Sequence, residues 1–316
     1  MSVLVVGSVA FDSVETPFGK VEEVLGGSAT YFSVSASFFT PVNLVAVVGE
    51  DFPPGHLDFL QGRGVNLDGL QRAPGPTFRW RGRYGFDLNE AQTLETRLNV
   101  FETFRPQIPN AFQDAEYVFL ANIDPELQLD VVRQVRRPKL VACDTMNFWI
   151  SGKRDALLKT LQHVDILLIN ESEARQLAGE ANLVRASRVI LAMGPRALVV
   201  KRGEYGVLLF TADSIFSAPA FPLEAVFDPT GAGDTFAGGF FGFLAATGNS
   251  CEDAMRQAII FGSTMASFTV EAFSLNRLAV LDNDQIEDRV RRFKLLTQFE
   301  TPTDRPTMMP PVYSLN

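Results

Sequence analysis

Short runs of uninterrupted apolar residues, each about a strand long, recur along this chain. They cover residues 3–7, 44–48, 117–121, 140–143, 166–169, 189–192, 197–200 and 206–210. A run without polar alternation suits a strand covered on both faces, as in a parallel sheet. Between many of these runs lie segments with helical spacing, at 29–39, 127–136, 156–161 and 171–177. Strand and helix alternate, which predicts an α/β fold with a doubly wound, mostly parallel sheet flanked by helices. Beyond residue 228 the pattern turns helical. It predicts a helix over 235–246 stopped by Gly248 and Asn249, an apolar one over 251–270 and a charged amphipathic one over 284–299.

Two segments break this rhythm. Residues 77–85 alternate with period two, with Phe78, Trp80 and Tyr84 on one face and Arg79, Arg81 and Arg83 on the other. Residues 93–101 also alternate, with Leu94, Leu98 and Val100 opposite Glu95, Arg97 and Asn99. Both read as antiparallel strands with one wet face, which a third piece around 16–24 joins. They predict a small β-sheet projecting from the α/β body, and the arginine stripe reads as its solvated face. The expected organisation is one α/β domain over 1–316, with inserts at roughly 13–25 and 77–104 and a Pro-rich tail at 300–316.

Composition narrows the function. Lys and Arg number 28 against 37 Asp and Glu, a formal charge of −9, which gives no electrostatic reason to bind a nucleic-acid backbone. The first twelve residues lack the basic start of a signal peptide, and the apolar stretch 236–246 is too short and Gly-rich to span a bilayer. The expectation is a cytoplasmic protein without membrane or nucleic-acid partners. Two cysteines, Cys143 and Cys251, and two histidines, His56 and His163, are too few for a zinc site or a disulfide framework. Both cysteines read as reduced, buried thiols. With 27 Phe, the interior should be strongly aromatic.

The segment richest in chemistry is Asp228-Pro229-Thr230-Gly231-Ala232-Gly233-Asp234-Thr235-Phe236. Pro229, Gly231 and Gly233 make a tight loop, and an apolar helix follows at once. The first amides of a helix have no internal partner and sit at the positive end of its dipole. Glycines let those amides approach an anion closely. Asp234, among them, suits a base that takes a proton from a hydroxyl while the amides hold a transferred phosphoryl group. The segment is not a Walker A loop, and Phe236 breaks a Gly-x-Gly-x-x-Gly dinucleotide fingerprint.

This segment resembles the C-terminal signature of the ribokinase-like (PfkB) family of sugar and nucleoside kinases. Other pieces agree in order. Residues 7–12, ending in Asp12, resemble the family's first strand and substrate-binding Asp. Gly26-Gly27 resembles its di-glycine hinge, Asn170 and Glu173 its Asn-x-x-Glu motif, and 201–206 its Gly-x-x-Gly nucleotide loop. The projecting sheet corresponds to the family's lid, through which a homodimer can form.

The resemblance implies an ATP-dependent kinase acting on a small sugar, polyol or nucleoside, with Mg2+. Asp234 would be the base, and Gly231, Ala232 and Gly233 the anion hole. Asp12, Gly26, Gly27, Tyr31 and Asp144 would meet the acceptor. Lys201, Gly203, Gly206, Thr230, Gly262 and Met265 would meet the nucleotide. Asn170 and Glu173 would organise magnesium through water, although the same pair can equally form a helix capping box. Tyr31 stands where ribokinases and adenosine kinases carry a substrate-binding Asn. A non-catalytic metabolite sensor on the same fold is the alternative, against which the intact base and Asn-x-x-Glu motif argue.

Overall fold

The computed structural model describes residues 1–298; residue 299 of the expected last helix and the tail at 300–316 lie outside the described residues. Thirteen strands form two sheets. In chain order they are β1 (Val3–Val6), β2 (Ala10–Thr16), β3 (Gly19–Gly26), β4 (Val42–Val48), β5 (Val65–Arg72), β6 (Phe78–Tyr84), β7 (Ala91–Arg97), β8 (Tyr117–Leu120), β9 (Leu140–Asp144), β10 (Ile166–Asn170), β11 (Ala197–Lys201), β12 (Val207–Phe210) and β13 (Ile215–Ala218).

The large sheet has the order β13-β12-β11-β10-β9-β8-β1-β4-β5. Pairing is parallel from β11 to β5, and β12 and β13 add an antiparallel edge. The continuous apolar runs have a direct cause. Val3 and Val5 face one core and Leu4 and Val6 the other, all four fully buried. The expected aromatic interior is present: Phe32 stacks on Phe119 with ring centroids 4.2 Å apart, and Phe241 packs against both.

The doubly wound reading holds, with local corrections. Residues 189–192 are not a strand but the end of the helix Leu183–Leu191. Asn182 caps that helix by accepting from the amides of Val184 and Arg185; a short apolar run alone does not separate a strand from a helix. The alternation at 93–101 is only partly strand. β7 ends at Arg97, and Asn99–Phe101 forms a 3-10 turn that buries Val100 in the body. Cys143 is buried but Cys251 is exposed, at the N-cap of the helix Glu252–Thr269. Gly248 stops the helix Ala232–Thr247 in the left-handed conformation, as read. Among the described residues no helix is long and apolar enough to cross a membrane.

The second sheet has the order β3-β2-β6-β7, with bulges after Asp12 and Arg81. Its arginine face is largely solvated, but Arg79 is half-buried. It reaches Asp51 of the body at 2.9 Å and Glu23 of β3 at 2.6 Å. Asp51 also accepts from the Thr77 amide (2.7 Å) and hydroxyl (2.6 Å). These bonds fasten the start of β6 to the loop after β4. Phe78, on the other face, stacks on Phe101 at 5.2 Å.

The Phe32 contact sits at the crossing of the large sheet and the helices above it. Phe32→Ala is expected to cost about 3–5 kcal/mol of stability, read as a lowered urea midpoint with an unchanged slope.

Candidate functional site

The strands β1 and β8 to β11 end at one edge of the sheet, where the chain order reverses at β1, the place where open α/β sheets take ligands. The helix Ala232–Thr247 begins over this edge. Its N-cap, Gly231, has φ +74°, a left-handed conformation that needs glycine. Asp228 shapes the loop: one carboxylate oxygen accepts from the Thr230 amide (2.9 Å) and the other from the Ser274 amide (3.3 Å). Burial raises its pKa. The Ala232 N–H is spent on the Pro229 carbonyl at 3.1 Å, closing the turn. Among the described residues the Gly231, Gly233 and Asp234 amides have no backbone partner.

Asp234 is half-buried in the first turn of this helix. Burial pushes its carboxyl up to about 7, with Asp144 adding to the rise and Lys201 opposing it. Lys201, at the end of β11, makes a 3.0 Å ion pair with Asp144, at the end of β9. Its ammonium lies 3.1 Å from where a Cβ on Gly233 would stand. Burial works against the charge on Lys201, yet Asp144, Glu173 and Asp234 together hold its pKa above the usual lysine value.

Asn170 and Glu173 form the capping box of the helix Glu171–Ala178. Asn170 Oδ1 accepts from the Glu173 amide, and Glu173 Oε2 accepts from the Asn170 amide, each at 2.8 Å. Glu173 is pushed up to about 7 by burial, with Asp144 adding. Its second carboxylate oxygen has no hydrogen-bond partner among the described residues.

On the other side of Asp234, Asp12 lies in β2, 5% exposed. Burial pushes it up to about 7; the Gly27 amide opposes that rise, and the charges of Asp234 and Asp228 add to it. Gly26 must be glycine, because a Cβ there would stand 1.9 Å from the Asp12 carboxylate. Gly27, with φ +96°, starts the helix Ser28–Ala36, and a Cβ on it would stand 2.6 Å from the Ser8 carbonyl. Tyr31 follows on that helix. Its ring covers Gly231, with ring carbons 2.4–2.5 Å from the position of a Cβ.

The structure therefore gathers Asp12, Gly26, Gly27 and Tyr31 on one side of Asp234, and Asp144, Lys201 and Glu173 on the other. Gly206 (φ +86°) lies beside β13, where a Cβ would strike the Ala218 carbonyl at 2.1 Å. Gly203 opens an exposed 3-10 turn. Gly262 and Met265 stand apart from this gathering. A Cβ on Gly262 would meet the Phe236 carbonyl at 2.8 Å, and fully buried Met265 packs on Gly239, so both sit at a helix crossing.

Sequence reasoning did not single out three residues. Asp228 organises the loop, and its place as first residue of the motif was the available signal. Tyr84, in β6, accepts a hydrogen bond from the Thr230 hydroxyl at 3.3 Å; its place on the aromatic face of that strand was a partial signal. Asn89, in the turn after β6, donates to Glu204 at 3.3 Å and touches Gly203. No local pattern announces a contact across 115 residues.

A cytidine kinase of Thermococcus kodakarensis is 31% identical over 262 residues, covering 81% of this chain and 92% of that protein. A nucleoside kinase of Methanocaldococcus jannaschii, an archaeal member of the ribokinase family, shares the fold with TM-score 0.74 and 22% identity, over 92% of this chain and 98% of that one. An E. coli protein crystallised with ATP and Mg2+ matches with TM-score 0.73 and 20% identity, over 92% and 99%. The profile of the pfkB family carbohydrate kinases matches residues 2–279, and the chain belongs to that family.

Proposed function

We propose that this protein transfers the γ-phosphoryl group of ATP to a hydroxyl of a small sugar, polyol or nucleoside. One observation carries the reading: Asp234 stands beside unpaired amides at a helix N-terminus, with the Lys201 ammonium against the same turn at Gly233.

In this reading Asp12 accepts hydrogen bonds from acceptor hydroxyls that do not react. Gly27, free of a side chain, lets the acceptor lie against the backbone. The Asp234 carboxylate takes the proton of the reacting hydroxyl. The hydroxyl oxygen then bonds to the γ-phosphorus as the bridge to ADP breaks. The Gly231, Gly233 and Asp234 amides hold the charge on the moving phosphoryl group. Lys201 adds a cation under Gly233, and the turn Gly203–Tyr205 with Gly206 borders the nucleotide. The similarity to a cytidine kinase makes a nucleoside the first acceptor to test.

The donor set fits a magnesium ion in part. Asn170 Oδ1 and one Glu173 oxygen are committed to the capping box, and Asp144 is taken up by the Thr145 amide and Lys201, which leaves one Glu173 oxygen as a hard ligand, reached directly or through water. Mg2+ bound there with the nucleotide supplies charge neutralisation on the phosphates.

The small sheet acts as a lid that excludes water, a competing nucleophile. Among the bonds that hold it against the body, Thr230 donates to Tyr84 near the base, Asn89 donates to Glu204 at the nucleotide turn, and Thr16 donates to the Phe227 carbonyl.

ADP release with ATP, Mg2+ and cytidine, D-ribose or myo-inositol tests the reading. Asp234→Asn is expected to lower kcat by about 10²–10⁴-fold while ATP still binds in calorimetry; near-normal turnover in that variant removes Asp234 as the base. The pH profile supplies a second check. A base must be ionised, so activity is expected to fall as pH drops through about 7. Lys201 holds the Asp234 pKa down, so Lys201→Met is expected to move the acid limb of kcat/KM to higher pH. A shift to lower pH contradicts the assigned contact.

A further inference from the structure

Gln128 lies in the helix Pro125–Gln134 and is 0% exposed. A primary amide buried that deeply costs free energy unless its polar atoms find partners. Its partners all lie at the sheet edge that carries the site. Gln128 Nε2 donates to the carbonyls of Ala121 at 2.9 Å, Asp144 at 3.0 Å and Leu120 at 3.3 Å. Carbonyls only accept, so they fix this atom as the NH2 end of the amide. The Cys143 thiol lies 3.5 Å from Gln128 Oε1 and 3.1 Å from the Asp144 carbonyl, between the two acceptors.

The parallel ladder between β8 and β9 ends at Leu120 and Cys143. Past that point Gln128 takes over the joining, with one side chain bridging Ala121 after β8 and Asp144 at the end of β9. An apolar side chain of the same size would fill this space equally well, so packing alone does not call for an amide. Asp144 gives the bridge its consequence. It is 4% exposed, and its carboxylate accepts from the Thr145 amide at 2.7 Å and from the Lys201 ammonium at 3.0 Å. The same ammonium stands 3.1 Å from where a Cβ on Gly233 would lie, in the turn that holds Asp234.

We propose that Gln128 is a positioning residue: it locks the ends of β8 and β9 together, so that Asp144 keeps the Lys201 ammonium against the turn of Gly233 and Asp234. For its effect on turnover the inference rests on the kinase reading above.

Gln128→Met keeps the volume and removes both donors. Crystal structures of the full chain, native and variant, read the geometry directly. The Lys201–Asp144 pair is expected to hold in the native protein and to open beyond about 4 Å in the variant; an unmoved pair overturns the proposal. Turnover is read with ATP, Mg2+ and whichever of cytidine, D-ribose and myo-inositol the native protein phosphorylates. In the variant kcat is expected to fall by about 10–100-fold. KM for the acceptor should stay within about twofold, because Asp12 and Gly27 stand on the other side of Asp234. Native-like kcat overturns the proposal and leaves the kinase reading standing. In an Asp144→Asn background, Gln128→Met is expected to cost less than about twofold more, because the carboxylate it positions is already gone. A loss as large as in the native background marks a general loosening and overturns the proposal. If the native protein phosphorylates none of the three, the kinase reading falls, and the two crystal structures alone decide whether Gln128 positions the pair. If Gln128→Met does not fold, the isosteric Gln128→Glu replaces it: a buried carboxyl stays neutral and keeps one donor, so a smaller loss in the same sense is expected. Failure of both variants to fold makes Gln128 a residue of stability and overturns the proposal.

Discussion

The costliest feature of this structure is the concentration of carboxylates at one sheet edge. Asp12, Glu173 and Asp234 all sit where burial drives them toward the protonated form, with pKa values pushed up to about 7. An ionised carboxylate taken out of water needs a cation or hydrogen bonds in return. On the β9–β11 side Lys201 supplies the cation, paired with Asp144 at 3.0 Å and opposing the rise in both Glu173 and Asp234. On the β2 side the Gly27 amide opposes the rise in Asp12. The frame around these groups is stiff: a sheet buried on both faces, with Gly27 and Gly231 drawn close enough to their neighbours that no side chain fits. Such a frame holds groups in place that would otherwise move apart or take up water, and it fits the family's need for a base near its acceptor.

The small sheet is joined to this frame by contacts of different kinds. At its root Arg79 and Thr77 converge on Asp51, so β6 leaves the body at a fixed point. Farther along, the bonds from Tyr84 to Thr230 and from Asn89 to Glu204 are long, and the second lies on the surface. Exposed and lightly held contacts open at low cost. The end of β2 is held more firmly, where buried Thr16 donates its hydroxyl to the Phe227 carbonyl at 2.9 Å.

Much of the fold was legible along the chain, because both layers of the large sheet imprint continuous apolar runs. The error at residues 189–192 came from reading such a run without weighing the capping residue Asn182, which sets helix against strand. β5 and β13 escaped notice because polar residues interrupt them near the sheet edges, where one face meets water. At the candidate site, Asp12, Gly27 and Asp234 were singled out along the chain, and the fold brings them near one another, with the Gly27 amide and the Asp234 charge both acting on Asp12. That the Ala232 amide closes a turn on the Pro229 carbonyl was not legible, because it depends on a few ångströms of loop path.

The sequence by itself determined the sheet-and-helix alternation, the glycine loop at the start of a helix and the carboxylate beside it, because these are properties of neighbouring residues. Tertiary structure alone decided which groups share a charge environment and which hydroxyls pair at a distance. Lys201 meets Asp144 across 57 positions, and Tyr84 reaches Thr230 across 146. Pairings of that span depend on how the sheet and its small companion are stacked, and no local period or propensity encodes them.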